Sequence, residues 1–165
     1  MRHDGGIGPR TESGPDPSYR LEEQVGFILR RVHQRATDMF NTVMTGFEIT
    51  PRQFAALAKL HDLGPTSQNQ LGRLVAMDPA TMFGVAGRLI KRGLIKQAVD
   101  PSDARLVLLE LTPEGRQLVA AMKARGREVS RRTLEPLTEQ EAETVLRLLG
   151  KLGRMLQRVG ESRQR

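Results

Sequence analysis

Residues 67–112 read SQNQLGRLVAMDPATMFGVAGRLIKRGLIKQAVDPSDARLVLLELT. Ser67 followed by Gln70, and Asp78 followed by Pro79, each mark a helix start. A short oxygen-bearing side chain accepts from the orphan amides of a first turn, and proline has no amide to orphan there. Two short helices, 67–75 and 79–92, joined by Ala76-Met77, are therefore predicted. Gly93 ends the second. Leu94, Ile95 and Val99 then lead to a polar tip, Asp100-Pro101-Ser102-Asp103, and Leu106 to Leu111 returns as an apolar strand. This is a hairpin, and since a two-stranded ribbon alone is marginal it must lean on the helices beside it. Two short helices followed by a hairpin is the order of a winged helix-turn-helix. In such a unit the second helix enters the major groove and the wing reaches toward the adjacent minor groove.

The helical wheel divides 79–92 into two faces. Met82, Val85, Ala86 and Leu89 form an inward stripe, while Ala80, Thr81, Phe83, Gly84, Gly87, Arg88 and Lys91 look outward. Glycine in a helix interior costs about 1 kcal/mol relative to alanine, so Gly84 and Gly87 suggest close approach of the backbone to a groove wall. Thr81 suits a base edge or a phosphate, and Arg88 reaches guanine or the backbone. Phe83 either packs on a thymine methyl or belongs to the core, with the glycines accommodating a neighbouring helix. At the hairpin tip Arg105 is offered at a protruding end, where a guanidinium suits a narrow, electronegative minor groove. Asp103 is close enough to steer it by a charge-assisted hydrogen bond.

Outward from this stretch the same punctuation continues. Thr50-Pro51 with Gln53, Thr112-Pro113, and Thr138 with Glu141 place helices over 51–63, 113–134 and 139–159. Leu21, Val25, Ile28, Val32, Met39 and Val43 recur at helical spacing, which predicts one long helix over 19–45. The domain plan is an N-terminal arm over 1–18 and a dimerisation helix over 19–49. A DNA-binding unit over 50–112, C-terminal dimerisation helices over 113–160 and a basic tail over 161–165 complete it. Leu21 and Val25, with Val145, Leu148, Leu149, Leu152, Met155, Leu156 and Val159, make apolar stripes. Such stripes bury themselves in a second copy or against one another within the chain.

Composition agrees with this plan. A net charge of +7 favours an acidic polymer or an anionic surface as partner. One tyrosine and no tryptophan leave few platforms for stacking single-stranded bases, which points to duplex DNA. Absence of cysteine excludes thiolate catalysis, disulfides and cysteine-based zinc sites. The three histidines have no metal-ligand spacing, no carboxylate is grouped with a histidine or serine as nucleophile and base, and no cofactor is implied. No apolar run approaches the roughly 20 residues of a spanning helix, and no export signal is seen, so a cytoplasmic, non-enzymatic protein is expected. The competing reading is a helical protein-interaction or membrane-surface module that uses the basic segment 151–165.

The blocks Ser67-Gln-Asn-Gln-Leu-Gly-Arg-Leu, Asp78-Pro-Ala-Thr, Gly93-Leu-Ile, Asp100-Pro-Ser-Asp-Ala-Arg and Leu111-Thr-Pro-Glu-Gly together resemble the MarR family of bacterial regulators, over roughly 19–159. The resemblance implies a mainly helical winged helix-turn-helix fold with terminal dimerisation helices, and a homodimer on an inverted-repeat operator. It puts Asp103 and Arg105 at the wing's Asp-x-Arg, with Ala104 where members often carry a basic residue. Ser67, Gln68 and Asn69, opening the helix before the recognition helix, join the DNA-facing set. The resemblance also implies repression relieved by a small, often aromatic and anionic, effector. The segment Leu21 to Arg35 is similar to members controlling breakdown of aromatic acids, including nicotinate-type compounds. Candidate effector contacts are Arg30 for a carboxylate, Phe40 for a ring, His33, His61, and Tyr19 at the pocket mouth. For each of these a plain role is the commoner one: surface or structural for the histidines, core for Phe40.

Overall fold

The computed structural model describes residues 18–162, with side chains as far as Gly153. All but Ser18 of the expected arm, residues 163–165 of the expected tail, and the side chains of Met155, Leu156 and Val159 lie outside the described residues. A 3-10 turn, Leu21–Glu23, precedes α1 (Val25–Val43), α2 (Pro51–Leu63), β1 (Thr66–Ser67), α3 (Gln68–Leu74) and α4 (Pro79–Lys91). Then come β2 (Ile95–Val99), β3 (Val107–Leu111), α5 (Pro113–Leu134) and α6 (Glu139–Ser162). The chain divides into two units between Gln34 and Arg35, inside α1.

In the first unit the single helix expected from residue 19 is corrected. Leu21 sits in the 3-10 turn, and Gln24 is extended before α1 starts at Val25. The Gln24 side chain donates to the Arg20 carbonyl at 3.0 Å. Apolar spacing runs unbroken across this change of backbone, so periodicity alone does not reveal it. Tyr19, Leu21, Val25, Ile28, Leu29 and Val32 are all exposed.

The second unit is built by its caps. Thr50 closes a reciprocal box with Gln53, at 3.3 Å and 2.9 Å. Thr112 accepts from the Gly115 amide at 3.0 Å, and Thr138 and Glu141 close a second box. Ser67 makes half of one, accepting from the Gln70 amide at 3.4 Å. Between α3 and α4 the chain turns through Ala76 at φ 53°, and the Met77 amide reaches the Gly72 carbonyl at 2.9 Å.

The hairpin is not two-stranded. β1 pairs antiparallel with β3, Thr66 opposite Leu109, giving a sheet in the order β1-β3-β2 in which Ile95 faces Leu111 and Val99 faces Val107. The third strand answers the marginal stability of a lone ribbon with backbone pairing as well as helix contact. Leu57 and Leu60 of α2, Leu71 of α3, Met82 and Leu89 of α4, and Leu109 and Leu111 of β3 are buried together. Phe40, Met44 and Ile49 on one side, and Val119 and Met122 of α5 on the other, complete the same cluster. Burial at about 25 cal/mol per Å² of apolar surface makes such a cluster the dominant stabilising term.

Candidate nucleic-acid interface

α4 owes its position to its apolar stripe. Met82, Val85, Ala86 and Leu89 are all at most 2% exposed, which turns the opposite face to solvent. On that face Ala80, Phe83, Gly87, Arg88 and Lys91 are exposed, while Thr81 and Gly84 are half-buried. Phe83 is 72% exposed, which takes it out of the core and resolves that alternative.

Two details of this face differ from the simplest expectation. The space beside Gly84 holds a guanidinium: a Cβ added there would meet Nη1 of Arg88 at 3.5 Å. Arg88 thus lies back along the helix over Gly84, in the direction helical side chains lean, at a distance that is an ordinary contact. Gly87 has nothing near it, and its backbone is open. Thr81, in turn, already donates. Its hydroxyl gives its proton to Asp78 Oδ2 at 2.6 Å, while its amide donates to Oδ1 at 2.8 Å. These bonds, the hydroxyl's first, hold the Asp78 carboxyl below its ordinary range.

Before α4, Ser67 and Gln68 are half-buried and Asn69 is exposed at the start of α3. After it, the wing carries its arginine as the tripeptide suggested. Arg105 donates from Nε to Asp103 Oδ1 at 3.0 Å and from Nη2 to Oδ2 at 3.2 Å, and its amide also reaches Oδ1. Arg105 is 90% exposed against 33% for Asp103, so the carboxylate is anchored and the guanidinium is presented. The arginine pair pulls the Asp103 carboxyl downward. Asp100 orders the bend by accepting from the Ser102 amide at 2.7 Å and its hydroxyl at 2.6 Å. Val99, Leu106 and Val107 are exposed around the tip.

The wing and α4 are joined to the frame by Thr112, which the sequence offered only as a helix cap, and by Gly115 and Arg92. The Thr112 hydroxyl donates to the Gly93 carbonyl at 2.7 Å, and the Thr112 amide to Leu94 at 3.1 Å. Gly115 packs so closely that an added Cβ would lie 2.0 Å from the Leu94 carbonyl oxygen. Arg92, which caps α4, donates to the carbonyls of Glu48 at 2.5 Å and Phe47 at 3.4 Å. The Phe47 ring carries Arg125 of α5 at 5.2 Å. The partners of Arg92 are backbone oxygens, which have no signature in a sequence.

The effector candidates divide between the two units: Tyr19, Arg30 and His33 lie in the first, Phe40 and His61 in the second. Phe40 is 6% exposed and pairs with Phe54, ring centroids 5.8 Å apart, so it is built into the core. His61 is exposed at the end of α2. There Lys123 of α5 approaches its Nδ1 at 3.2 Å and also binds Asp62. Of the stripe on α6, Val145 is half-buried, and Leu148, Leu149 and Leu152 are exposed together with Leu146. Among the described residues no cluster of three metal-binding side chains occurs, and no helix is long and apolar enough to cross a membrane.

The comparisons with known proteins fall on this arrangement. Residues 49–107 match the model of the MarR family, the span that holds α2, the turn, α4 and most of the wing. The HTH-type transcriptional repressor NicR of Pseudomonas putida is 38% identical over 134 residues, covering 81% of this chain and 85% of that protein. A crystal structure of a probable transcriptional regulator from Pseudomonas aeruginosa superposes with a TM-score of 0.74 at 48% identity, over 81% of this chain and 99% of the other. BpsR of Bordetella bronchiseptica, whose DNA binding is regulated by 6-hydroxynicotinic acid, superposes at 0.77 with 36% identity, over 85% and 98%. Winged unit, flanking helices and sequence agree over four fifths of the length, and the chain belongs to the MarR family of DNA-binding transcriptional regulators.

Proposed function

We propose that this regulator is a homodimeric repressor that sets α4 of each subunit in the major groove and Arg105 of each wing in the neighbouring minor groove. One observation carries the reading: the outward face of α4 and the nine-tenths-exposed Arg105 belong to one packed unit, fixed by the bonds of Thr112. Ala80, Thr81, Phe83, Gly84, Arg88, Lys91 and the opening of α3 at Ser67, Gln68 and Asn69 form the DNA-facing set, with Asp103 positioning Arg105. Residues 50–112 are the DNA-binding part. The exposed apolar residues of the opening 3-10 turn, α1 and α6, Leu21, Val25, Leu149 and Leu152 among them, are the surface for a second copy, because water-exposed leucines in such number on a terminal helix favour burial. Two-fold symmetry then sets recognition helices about 34 Å apart on an inverted repeat. The protein works on chromosomal DNA, in the cytoplasm, and catalyses nothing.

The effector is an aromatic carboxylic acid of the nicotinate type. Support comes from the likeness to NicR and to BpsR, the latter regulated by 6-hydroxynicotinic acid. Such a ligand releases DNA only if it binds more tightly to a subunit arrangement that does not fit the operator. Adding 6-hydroxynicotinic acid to the operator complex is expected to displace the protein while benzoic acid at the same concentration does not. Indifference to both would remove the effector assignment.

A further inference from the structure

Resting on the placement of α4 in the major groove, we infer that Asp78 sets the base preference of the recognition helix by fixing Thr81 as a pure hydrogen-bond acceptor. A threonine hydroxyl has one proton and two lone pairs. In this chain the proton is committed to Asp78 Oδ2 at 2.6 Å, and the other carboxylate oxygen is held by the Thr81 amide at 2.8 Å. An ionised carboxylate has no proton to return, so only the lone pairs of Thr81 Oγ1 are left for a partner. Thr81 is half-buried, not closed off, and lies beside the exposed Ala80 on the outward face of α4.

In the major groove the donors are the exocyclic amines, N6 of adenine and N4 of cytosine; guanine O6 and N7, thymine O4 and adenine N7 are acceptors. The base facing Thr81 is therefore adenine or cytosine, and guanine or thymine at that place would set acceptor against acceptor. Arg88 supplies the opposite polarity on the same line of the helix. Residues seven apart are nearly eclipsed at 3.6 residues per turn, and Arg88 lies back over Gly84 toward Thr81. Its guanidinium, donors only, reads an acceptor edge within about two base steps of the amine, at 3.4 Å per step. The helix thus presents an acceptor followed by a donor.

The isosteric change Asp78→Asn tests this without removing the cap, since asparagine caps as well as aspartate. Its Oδ1 must accept the Thr81 amide, which leaves Nδ2 to donate to the Thr81 hydroxyl and frees that proton to point at the DNA. Half-sites selected from a randomised duplex library by the full-length protein should carry adenine or cytosine at one position. The Asp78→Asn variant should exclude cytosine at that position and admit guanine or thymine, and Thr81→Val should flatten it, with a discrimination of about three- to tenfold lost. A position unmoved in either variant overturns the inference while leaving the regulator reading intact. No enriched inverted repeat with the unaltered protein would strike at the regulator reading itself.

Discussion

Arg105 stands with nine tenths of its side chain in solvent, yet it is held from behind by two bonds to Asp103. An arginine so presented is pre-ordered, so little conformational freedom remains to be lost on binding DNA. Replacing it with alanine should weaken operator binding by about 1–3 kcal/mol and leave dimerisation untouched; unchanged affinity in a gel-shift assay would remove the wing from the interface. This pair was legible in the sequence because its partners are two residues apart. Arg92 was not, since its carbonyl partners are 44 and 45 residues away. Nor was the bidentate grip of Arg35 on the carbonyls of Arg132 and Thr133, nearly a hundred residues distant. Distant backbone oxygens carry no residue identity to read.

At the scale of elements, the starts of α2, α4, α5 and α6 were readable to within a residue because each carries its own cap. β1 was not, for two residues cannot show a period, and its existence depends on partners in β3, Leu109 for Thr66 and Leu108 for Ser67, far along the chain. Glycines separate in the same way. Gly115→Ala should lower stability by about 3 kcal/mol or more, in the range of severe overpacking, because the added carbon meets a backbone oxygen rather than a side chain. Gly87→Ala meets nothing and should raise stability by about 0.5–1 kcal/mol. Thermal melts of the two variants moving in the same direction would contradict this contrast.

The last turns of α5 add a pH signature. Glu128 binds Arg131 and Arg132, and their hydrogen bonds pull its carboxyl from 4.5 down to about 2. A depressed carboxyl contributes its full stabilisation above its ordinary value and loses it as pH falls through the lowered one. The melting difference between the unaltered protein and Glu128→Gln should therefore be flat above about pH 5. It should shrink between 4.5 and about 2; a difference that persisted at the acid end would show that the pair does not titrate this way. Because Arg131 is exposed and Glu128 and Arg132 are only half-buried, added salt should reduce the difference throughout.

For the whole molecule, the winged unit and the helices flanking it share one core, since Phe40 and Met44 before it and Val119 and Met122 after it are buried with the leucines of α2 and β3. That shared core gives α5 a continuous packed connection to the sheet and to α4, the kind of connection through which an effector can alter DNA binding. The apolar face of α6 is not used in this way; Leu146, Leu148, Leu149 and Leu152 remain exposed. Truncation after Leu137 should leave a monomer on sizing chromatography, and a dimeric fragment would place the subunit interface elsewhere. The stripe was visible in the sequence, but which surface covers it was not, because periodicity reports that a face is apolar and not what it meets.

The most direct test is competition between an inverted-repeat duplex, selected by the full-length protein, and a scrambled duplex of the same composition, followed across a salt series. A basic chain of net charge +7 binds any duplex at low salt, so affinity alone decides nothing. The repeat should be preferred by a factor on the order of 10³ or more at physiological salt, with binding to both falling steeply as salt rises. Equal affinity for repeat and scramble at every salt concentration would contradict the account.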